Sequence, residues 1–251
     1  MSMKDYNDMV NSYMDNPTEH IERQINVSPA VVKRLPRYYR YLRELVRQGQ
    51  MRISSGELSE MMNVTASQIR QDLNCFGGFG QQGYGYNVSY LFAKISELLG
   101  VGAGFHAIII GAGDLGRALV NQPMFEKRGV DILGMFDTGE GAVGEVYGGA
   151  EVYALDTLEK FCEENPVDIA VITCPADQVR DIAARLVASH VKGIWNYMGV
   201  ELKYPPEEVV IENVHLGDSL MILNYKIASR FDNSSNTDED DDTADATGEE
   251  K

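Results

Sequence analysis

The 251-residue chain is poor in cysteine. Only Cys75, Cys162 and Cys174 occur, and no two of them form a CxxC pair. An odd count without paired spacing argues against a disulfide framework or a structural zinc site, and predicts a cytoplasmic, metal-free chain. Long apolar runs are missing as well. No stretch approaches the ~20 residues of a membrane span, and residues 1–27 are polar rather than signal-like. Positive charge is scarce: 22 Lys and Arg face 38 Asp and Glu, for a formal net charge of −16. Averaged over the chain, that excess repels nucleic acid. What the chain does have is apolar residue, at 44%. That suffices for buried cores and, at this length, for about two domains.

The average charge conceals a segment of opposite sign. Residues 1–27 carry −3, residues 28–86 carry +4, residues 87–231 carry −9 and residues 232–251 carry −8. Residues 1–27 read as a disordered arm. Residues 232–251, with the run Asp238-Glu239-Asp240-Asp241-Asp242, read as an acidic disordered tail. Such a tail either solvates the chain or mimics nucleic-acid phosphate and competes for the basic block.

Residues 28–86 read as helices followed by a hairpin. Ser28-Pro29 is an N-cap and N1 pair. After it Val31, Leu35, Tyr38, Leu42 and Leu45 recur along one helical face, with Lys33, Arg37, Arg40 and Arg47 on the opposite face. Capping boxes at Ser54-x-x-Glu57 and Thr65-x-x-Gln68 open two more helices, one reaching Met62, the other burying Ile69, Leu73 and Phe76. About three residues separate them, the spacing of a helix-turn-helix. From Phe76 to Tyr86 aromatics alternate with glycines, as in a small β-wing. The second capped helix exposes Ser67, Gln68, Arg70, Gln71 and Asn74. In the major groove Gln pairs with adenine and Arg with guanine. Lys33, Arg34, Arg37, Arg40 and Arg47 suit phosphates, and the wing adds Gln82 and Tyr84. Roughly four to six phosphate contacts per subunit correspond to a log–log salt slope of about −4 to −5. The rival reading of these features is a solvated basic helix in a protein-interaction domain.

Residues 87–104 read as a connecting helix and a glycine-rich linker. From Phe105 strands and helices alternate, which predicts a doubly wound parallel sheet over residues 105–213. Strands are expected at Ala107–Ile110, Ile132–Phe136, Ile169–Thr173, Gly193–Asn196 and near Val209–Ile211. Helices are expected in the gaps, with a last helix from about Leu216 to Arg230. Gly111-Ala112-Gly113-Asp114-Leu115-Gly116 is a complete GxGxxG between a strand and a helix. Asp137 ends the next strand, where the ribose acid of a dinucleotide site belongs. The helix N-terminus suits a pyrophosphate. Asp137, with no Lys or Arg directly after it, favours NAD over NADP. Thr173, Cys174 and Pro175, and then Asn196 and Tyr197, follow at C-terminal strand ends. Cys174 reads either as an inert small residue or as a thiolate sensor. Hydride-transfer catalysis needs a placed acid or base. His20, His106 and His190 are not so placed, His215 reads either as such a group or as a surface or interface histidine, and with no other acid–base machinery visible the chain reads as a non-enzyme.

The order of these parts resembles the Rex family of redox-sensing transcriptional repressors over about residues 28–230. The resemblance is carried by Lys33-Arg34-Leu35-Pro36 with Tyr39-Arg40, Ile69-Arg70-Gln71-Asp72-Leu73 and the FGxFGxxGxGY pattern from Phe76 to Tyr86. Gly111–Gly116, Asp137, Cys174-Pro175-Ala176, Lys192-Gly193-Ile194 and Asn213-Val214 agree with it. It implies a homodimer in which the last helix, residues 214–231, is exchanged between subunits and packs between the two domains. It also implies binding to double-stranded operator DNA when NADH is scarce, and release when NADH binds. NADH/NAD then serves as effector and is not turned over.

The chain departs from the family pattern in three respects. The wing carries Gln81-Gln82 where the family has a basic residue, and Gln71 stands beside Arg70 in place of Lys. The family's switch partners for the arginine at Arg40 are a Tyr and an Asp, and here those positions are Gln122 and His215. Loss of that carboxylate removes a charge-assisted hydrogen bond of about 1.5–3 kcal/mol. Two rival readings therefore stand beside the redox-sensing repressor: a DNA-binding repressor with an altered NADH response, and an NAD-dependent oxidoreductase.

Overall fold

The computed structural model describes residues 27–75, 80–81 and 85–235. The expected N-terminal arm before Val27, most of the acidic tail, and wing residues 76–79 and 82–84, with Gln82 and Tyr84 among them, lie outside the described residues. The chain divides after Ala103 into two compact units.

The first unit begins with two helices where one was expected: α1 (Pro29–Val32) and α2 (Leu35–Arg47). Pro36 explains the break, because it has no N–H to donate and fits only the first turn of a new helix. The predicted apolar face survives the break, with Val31, Leu35, Tyr38, Leu42 and Leu45 all buried. A two-residue strand β1 (Arg52–Ile53) follows, and then α3 (Ser55–Met62) and α4 (Ala66–Asn74). The Ser54–Glu57 capping box is complete. At the second box only half forms: Thr65 Oγ1 accepts from the Gln68 amide at 3.1 Å, while the Gln68 side chain turns to Asp72. Asn63, in the left-handed region, turns the chain between α3 and α4. Strands β2 (Gly80–Gln81) and β3 (Gly85–Asn87) pair antiparallel, and β3 also pairs with β1. This three-stranded sheet completes a winged helix-turn-helix. The stretch read as a connector forms α5 (Val88–Leu98), whose Val88, Leu91, Phe92 and Ile95 belong to the core of this same unit.

The second unit is a seven-stranded sheet in the order β10-β9-β8-β4-β5-β7-β6. Its strands are β4 (Phe105–Ile110), β5 (Val130–Asp137), β6 (Val146–Tyr147), β7 (Ala150–Ala154), β8 (Ile169–Ile172), β9 (Gly193–Asn196) and β10 (Val210–Asn213). All pairings are parallel except β6 with β7. Without the antiparallel edge, the order is that of a doubly wound dinucleotide-binding fold, with its switch point between β4 and β8. The helices are α6 (Asp114–Val120), α7 (Leu158–Glu164), α8 (Val179–Ala188) and α9 (Leu216–Ser235).

The gap after β5 holds the expected helix, α7, but also a turn and the unexpected hairpin β6–β7, while the gap over residues 197–209 is irregular and holds no helix. The hairpin β6–β7 was missed although Gly148-Gly149 between two short β-type runs is a two-residue turn signal. Helix α9 runs to Ser235, past the expected end near Arg230. Its Leu216, Leu220, Met221, Ile222, Leu223, Tyr225 and Ile227 are exposed.

Candidate nucleic-acid face and nucleotide cavity

In the first unit α4 turns Ser67, Arg70, Gln71 and Asn74 to solvent, one face at spacings of three and four. Ile69, Asp72 and Leu73 form the buried face. Arg70 is anchored lightly, with Nη1 3.2 Å from Ser55 Oγ at the start of α3. On α1–α2, Lys33 and Arg40 are exposed and have no hydrogen-bond or ion-pair partner among the described residues. Arg47 pairs loosely with Glu44 at 3.5 Å.

Three other residues of the expected DNA-contacting set are engaged within the unit. Arg34 grips Asp72 side-on, its Nε 2.7 Å from Oδ2 and its Nη2 2.6 Å from Oδ1. The Tyr38 hydroxyl donates to Oδ2 at 2.9 Å and Gln68 Nε2 to Oδ1 at 2.7 Å. Arg37 Nη2 donates to the carbonyl of Met62, closing the C-terminal end of α3. Burial pushes the Asp72 carboxyl up. The hydrogen bonds from Arg34, Gln68 and Tyr38 outweigh that and hold it below the usual carboxylate range. Burial, reinforced by the bond to Asp72, pushes the Tyr38 hydroxyl well above its ordinary value. No one-residue pattern announces this network, because Arg34 and Asp72 are 38 positions apart.

In the second unit the glycine motif opens the switch point. Gly111 has φ +106°, and a Cβ there would lie 2.8 Å from the backbone of Thr173 and Cys174, so only glycine fits. A Cβ on Gly116 would lie 2.0 Å from Gly111 O, so this glycine lets α6 close onto the turn. Gly113, the N-cap of α6, faces open space. Asp137 Oδ2 accepts from the Ala112 amide at 2.6 Å and Oδ1 from the Gly139 amide at 2.8 Å. The Thr173 hydroxyl lies 3.0 and 2.9 Å from the carbonyls of Ile110 and Gly111 and donates between them. Arg117 Nε holds the Ala112 carbonyl at 2.6 Å, with its guanidinium 4.4 Å over the Tyr147 ring. The missed β6–β7 hairpin thus braces the glycine turn.

A cavity of about 420 Å³ lies against this turn. Of the expected nucleotide-site residues, Gly111, Gly113, Asp137, Thr173, Cys174 and Pro175 line it. Ala112 and Gly116 are buried behind it, Leu115 packs towards the core, and Asp114 is exposed in the first turn of α6. Asn196 and Tyr197 are placed elsewhere. Asn196 is fully buried and spent on Val200 O at 2.6 Å, Asn213 Oδ1 at 2.8 Å and the Met198 amide at 3.0 Å. Tyr197 packs against Trp195 in a tilted pair with ring centroids 4.8 Å apart. Phe136, Thr138, Leu155, Gln178, Ile182 and Met198 also line the cavity without having been expected. Thr138 was findable as the neighbour of Asp137. Gln178 and Ile182 come from the start of α8, where no motif marks them.

These residues fit a dinucleotide. Two glycines admit no side chain, one opens the helix N-terminus to a pyrophosphate, and Asp137 keeps lone pairs beyond the two spent on amides. No Lys or Arg lines the cavity among the described residues, so a 2′-phosphate would meet Asp137 uncompensated. Burial, with the charges of Asp177 and Asp137 nearby, pushes the Cys174 thiol up to about 11, so it is a neutral wall rather than a thiolate. Among the described residues no His, Cys, Asp and Glu group is arranged to hold a metal, and no helix is long and apolar enough to cross a membrane.

Residues 26–74 match the family described as "Putative DNA-binding protein N-terminus", and residues 105–199 match the "CoA binding domain" family. The redox-sensing transcriptional repressor Rex of Thermoanaerobacter pseudethanolicus is 48% identical over 207 residues, 82% of this chain and 92% of that protein. Among solved structures, the repressor RSP in complex with β-NAD⁺ and operator DNA is 46% identical with a TM-score of 0.77, over 85% of this chain and 98% of that one. RSP in complex with β-NADH is 43% identical with a TM-score of 0.76, over 84% and 98%. A winged helix-turn-helix and a dinucleotide-binding sheet in one chain define a DNA-binding regulator rather than an enzyme. The chain belongs to the Rex family of redox-sensing transcriptional repressors.

Proposed function

We propose that this chain is a cytoplasmic, homodimeric repressor that binds operator DNA through its first unit and releases it when NADH occupies the cavity of its second. The observation that carries this reading is the pairing, in one chain, of an exposed Ser67–Arg70–Gln71–Asn74 face with a cavity built on Gly111, Gly113 and Asp137. Ser67, Arg70, Gln71 and Asn74 enter the major groove, while Lys33 and Arg40 contact phosphates. The similar RSP structures, one with NAD⁺ and operator DNA and one with NADH, support both ligands. The apolar residues that α9 leaves exposed support dimerisation through that helix, since a row of this kind marks an interaction surface. Ligand acts through different affinities for two dimer states, not through chemistry.

Gln122 and His215, both exposed, favour a second reading in which DNA binding is kept and the NADH response is weak. Calorimetry separates the two. NADH is titrated into the protein alone and into its complex with a duplex selected from a random palindromic pool. By reciprocity a redox-sensing repressor binds NADH more weakly in the complex, by the same factor by which NADH weakens its hold on DNA. Equal affinities would favour the second reading.

A further inference from the structure

Asp72 sits behind the exposed face of α4, fully buried. Each of its carboxylate oxygens takes two donors: Oδ2 from Arg34 Nε and Tyr38, Oδ1 from Arg34 Nη2 and Gln68 Nε2. A carboxylate has about four lone-pair sites, so Asp72 is saturated without water. The consequence falls on Gln68. An exposed glutamine amide turns freely and shows either end to a partner. Here an ionised carboxylate, which only accepts, meets one end, so that end must be the nitrogen. Turning the amide over would set its oxygen against the carboxylate and leave a buried acceptor one donor short. Gln68 Oε1 has no partner among the described residues.

We propose that Asp72 is a positioning residue for sequence recognition: it locks the Gln68 amide with Oε1 presented to the duplex, so that Gln68 selects a base carrying an exocyclic amine. In the major groove that donor is N6 of adenine or N4 of cytosine, whereas guanine and thymine present only acceptors, with a methyl group on thymine. Arg34 and Tyr38 complete the lock by occupying the other sites on Asp72. The proposal rests on the DNA-binding reading and adds to it which base one side chain accepts.

The test uses the full chain and a duplex selected from a random palindromic pool. Each adenine of the half-site is replaced by purine and each cytosine by 2-pyrimidinone, which removes the exocyclic amine alone. One position per half-site should lose about tenfold in affinity with the wild-type chain and nothing with Gln68→Met. In Asp72→Asn, whose amide both donates and accepts, the base preference at that pair alone should collapse to within about twofold, whereas simple destabilisation would weaken every sequence alike. Hydrogen exchange of the wild-type side-chain amides gives a reading that does not depend on that variant folding. The Gln68 Nε2 protons should exchange about tenfold more slowly than those of exposed Gln71. The proposal is overturned if no amine-dependent position is coupled to Gln68, if the coupled base is guanine or thymine, if folded Asp72→Asn keeps the preference, or if the two amides exchange alike. Failure to select any duplex would instead overturn the DNA-binding reading itself.

Discussion

The Arg34 guanidinium meets the Asp72 carboxylate side-on, through two bonds of 2.7 and 2.6 Å, and joins the first long helix to the recognition helix. Asp72 is 1% exposed at its side chain and Arg34 27%. Removing one partner of a buried pair strands the other charge, at about 3–5 kcal/mol. Arg34→Ala should therefore destabilise the chain by about 3 kcal/mol, the low end because Arg34 is partly solvated. Urea unfolding followed by circular dichroism checks this. Loss of DNA affinity in a variant of undiminished stability would mean that Arg34 acts on phosphate instead.

The same pair gives stability a direction in pH. The folded Asp72 carboxyl lies below its ordinary value of 3.8. Its contribution is therefore complete above that value and is lost as pH falls through the folded one. Asp72→Asn should flatten the acid limb of stability below about pH 4 relative to wild type. Parallel pH profiles of the two proteins would contradict this.

Arg70 and Arg40 should separate by the kind of contact they make. Arg70→Ala should cost about 1–3 kcal/mol per half-site on the selected duplex, and little on random DNA. Arg40→Ala should weaken binding to all sequences alike and reduce the salt slope by about 1 per subunit. Because Arg40 is exposed and unpaired among the described residues, its loss should change stability by less than about 0.5 kcal/mol. Anisotropy at several salt concentrations measures all three. Unaltered NADH affinity in both variants confirms that the nucleotide cavity is intact.

Two glycines of one motif should fail in different ways. Gly111→Ala places a Cβ 2.8 Å from the Thr173–Cys174 backbone at φ +106°, and should lower the melting temperature of the second unit and abolish NADH binding together. At Gly113 an added Cβ meets nothing within 4 Å, which leaves room for Gly113→Val. It should fold, at a cost of about 1 kcal/mol for a poorer helix cap, while its side chain blocks the approach of a pyrophosphate. Calorimetry and NADH fluorescence distinguish the two outcomes.

Cys174 should be chemically quiet. With its thiol pushed up to about 11 and its side chain buried, it should resist iodoacetamide at pH 8 while exposed Cys75 is alkylated. Peptide mass spectrometry reads both sites. Alkylation of Cys174 at the rate of Cys75 would reopen a role as thiol sensor.

Local features of this molecule were legible because they repeat at short range. The spacing of Val31, Leu35, Tyr38, Leu42 and Leu45 marked a buried face even though Pro36 divides the helix beneath it. Ser54 and Thr65 marked two helix starts. The glycines at 111, 113 and 116 placed the switch point: 111 and 116 answer steric demands of the turn, and 113 leaves the helix end open. Hidden were the pairings made by folding. Arg34 read as a DNA contact because its own segment is basic, yet Asp72 claims its guanidinium, and Asp72 also takes one end of the Gln68 amide. Asn196 read as a ligand residue because it ends a strand, yet Asn213 and Val200 saturate it. Only a helix was expected between β5 and β8; α7 is there, but the Gly148-Gly149 turn adds the hairpin β6–β7 before it.

The central claim is that nucleotide and DNA compete through one protein. It is tested most directly by following the anisotropy of a fluorescent selected duplex, held by the wild-type chain at constant ionic strength, while NADH is added. The account predicts that the signal falls to that of free duplex with NADH and holds with equal NADPH. A signal that stays level at NADH concentrations shown to fill the cavity would contradict it.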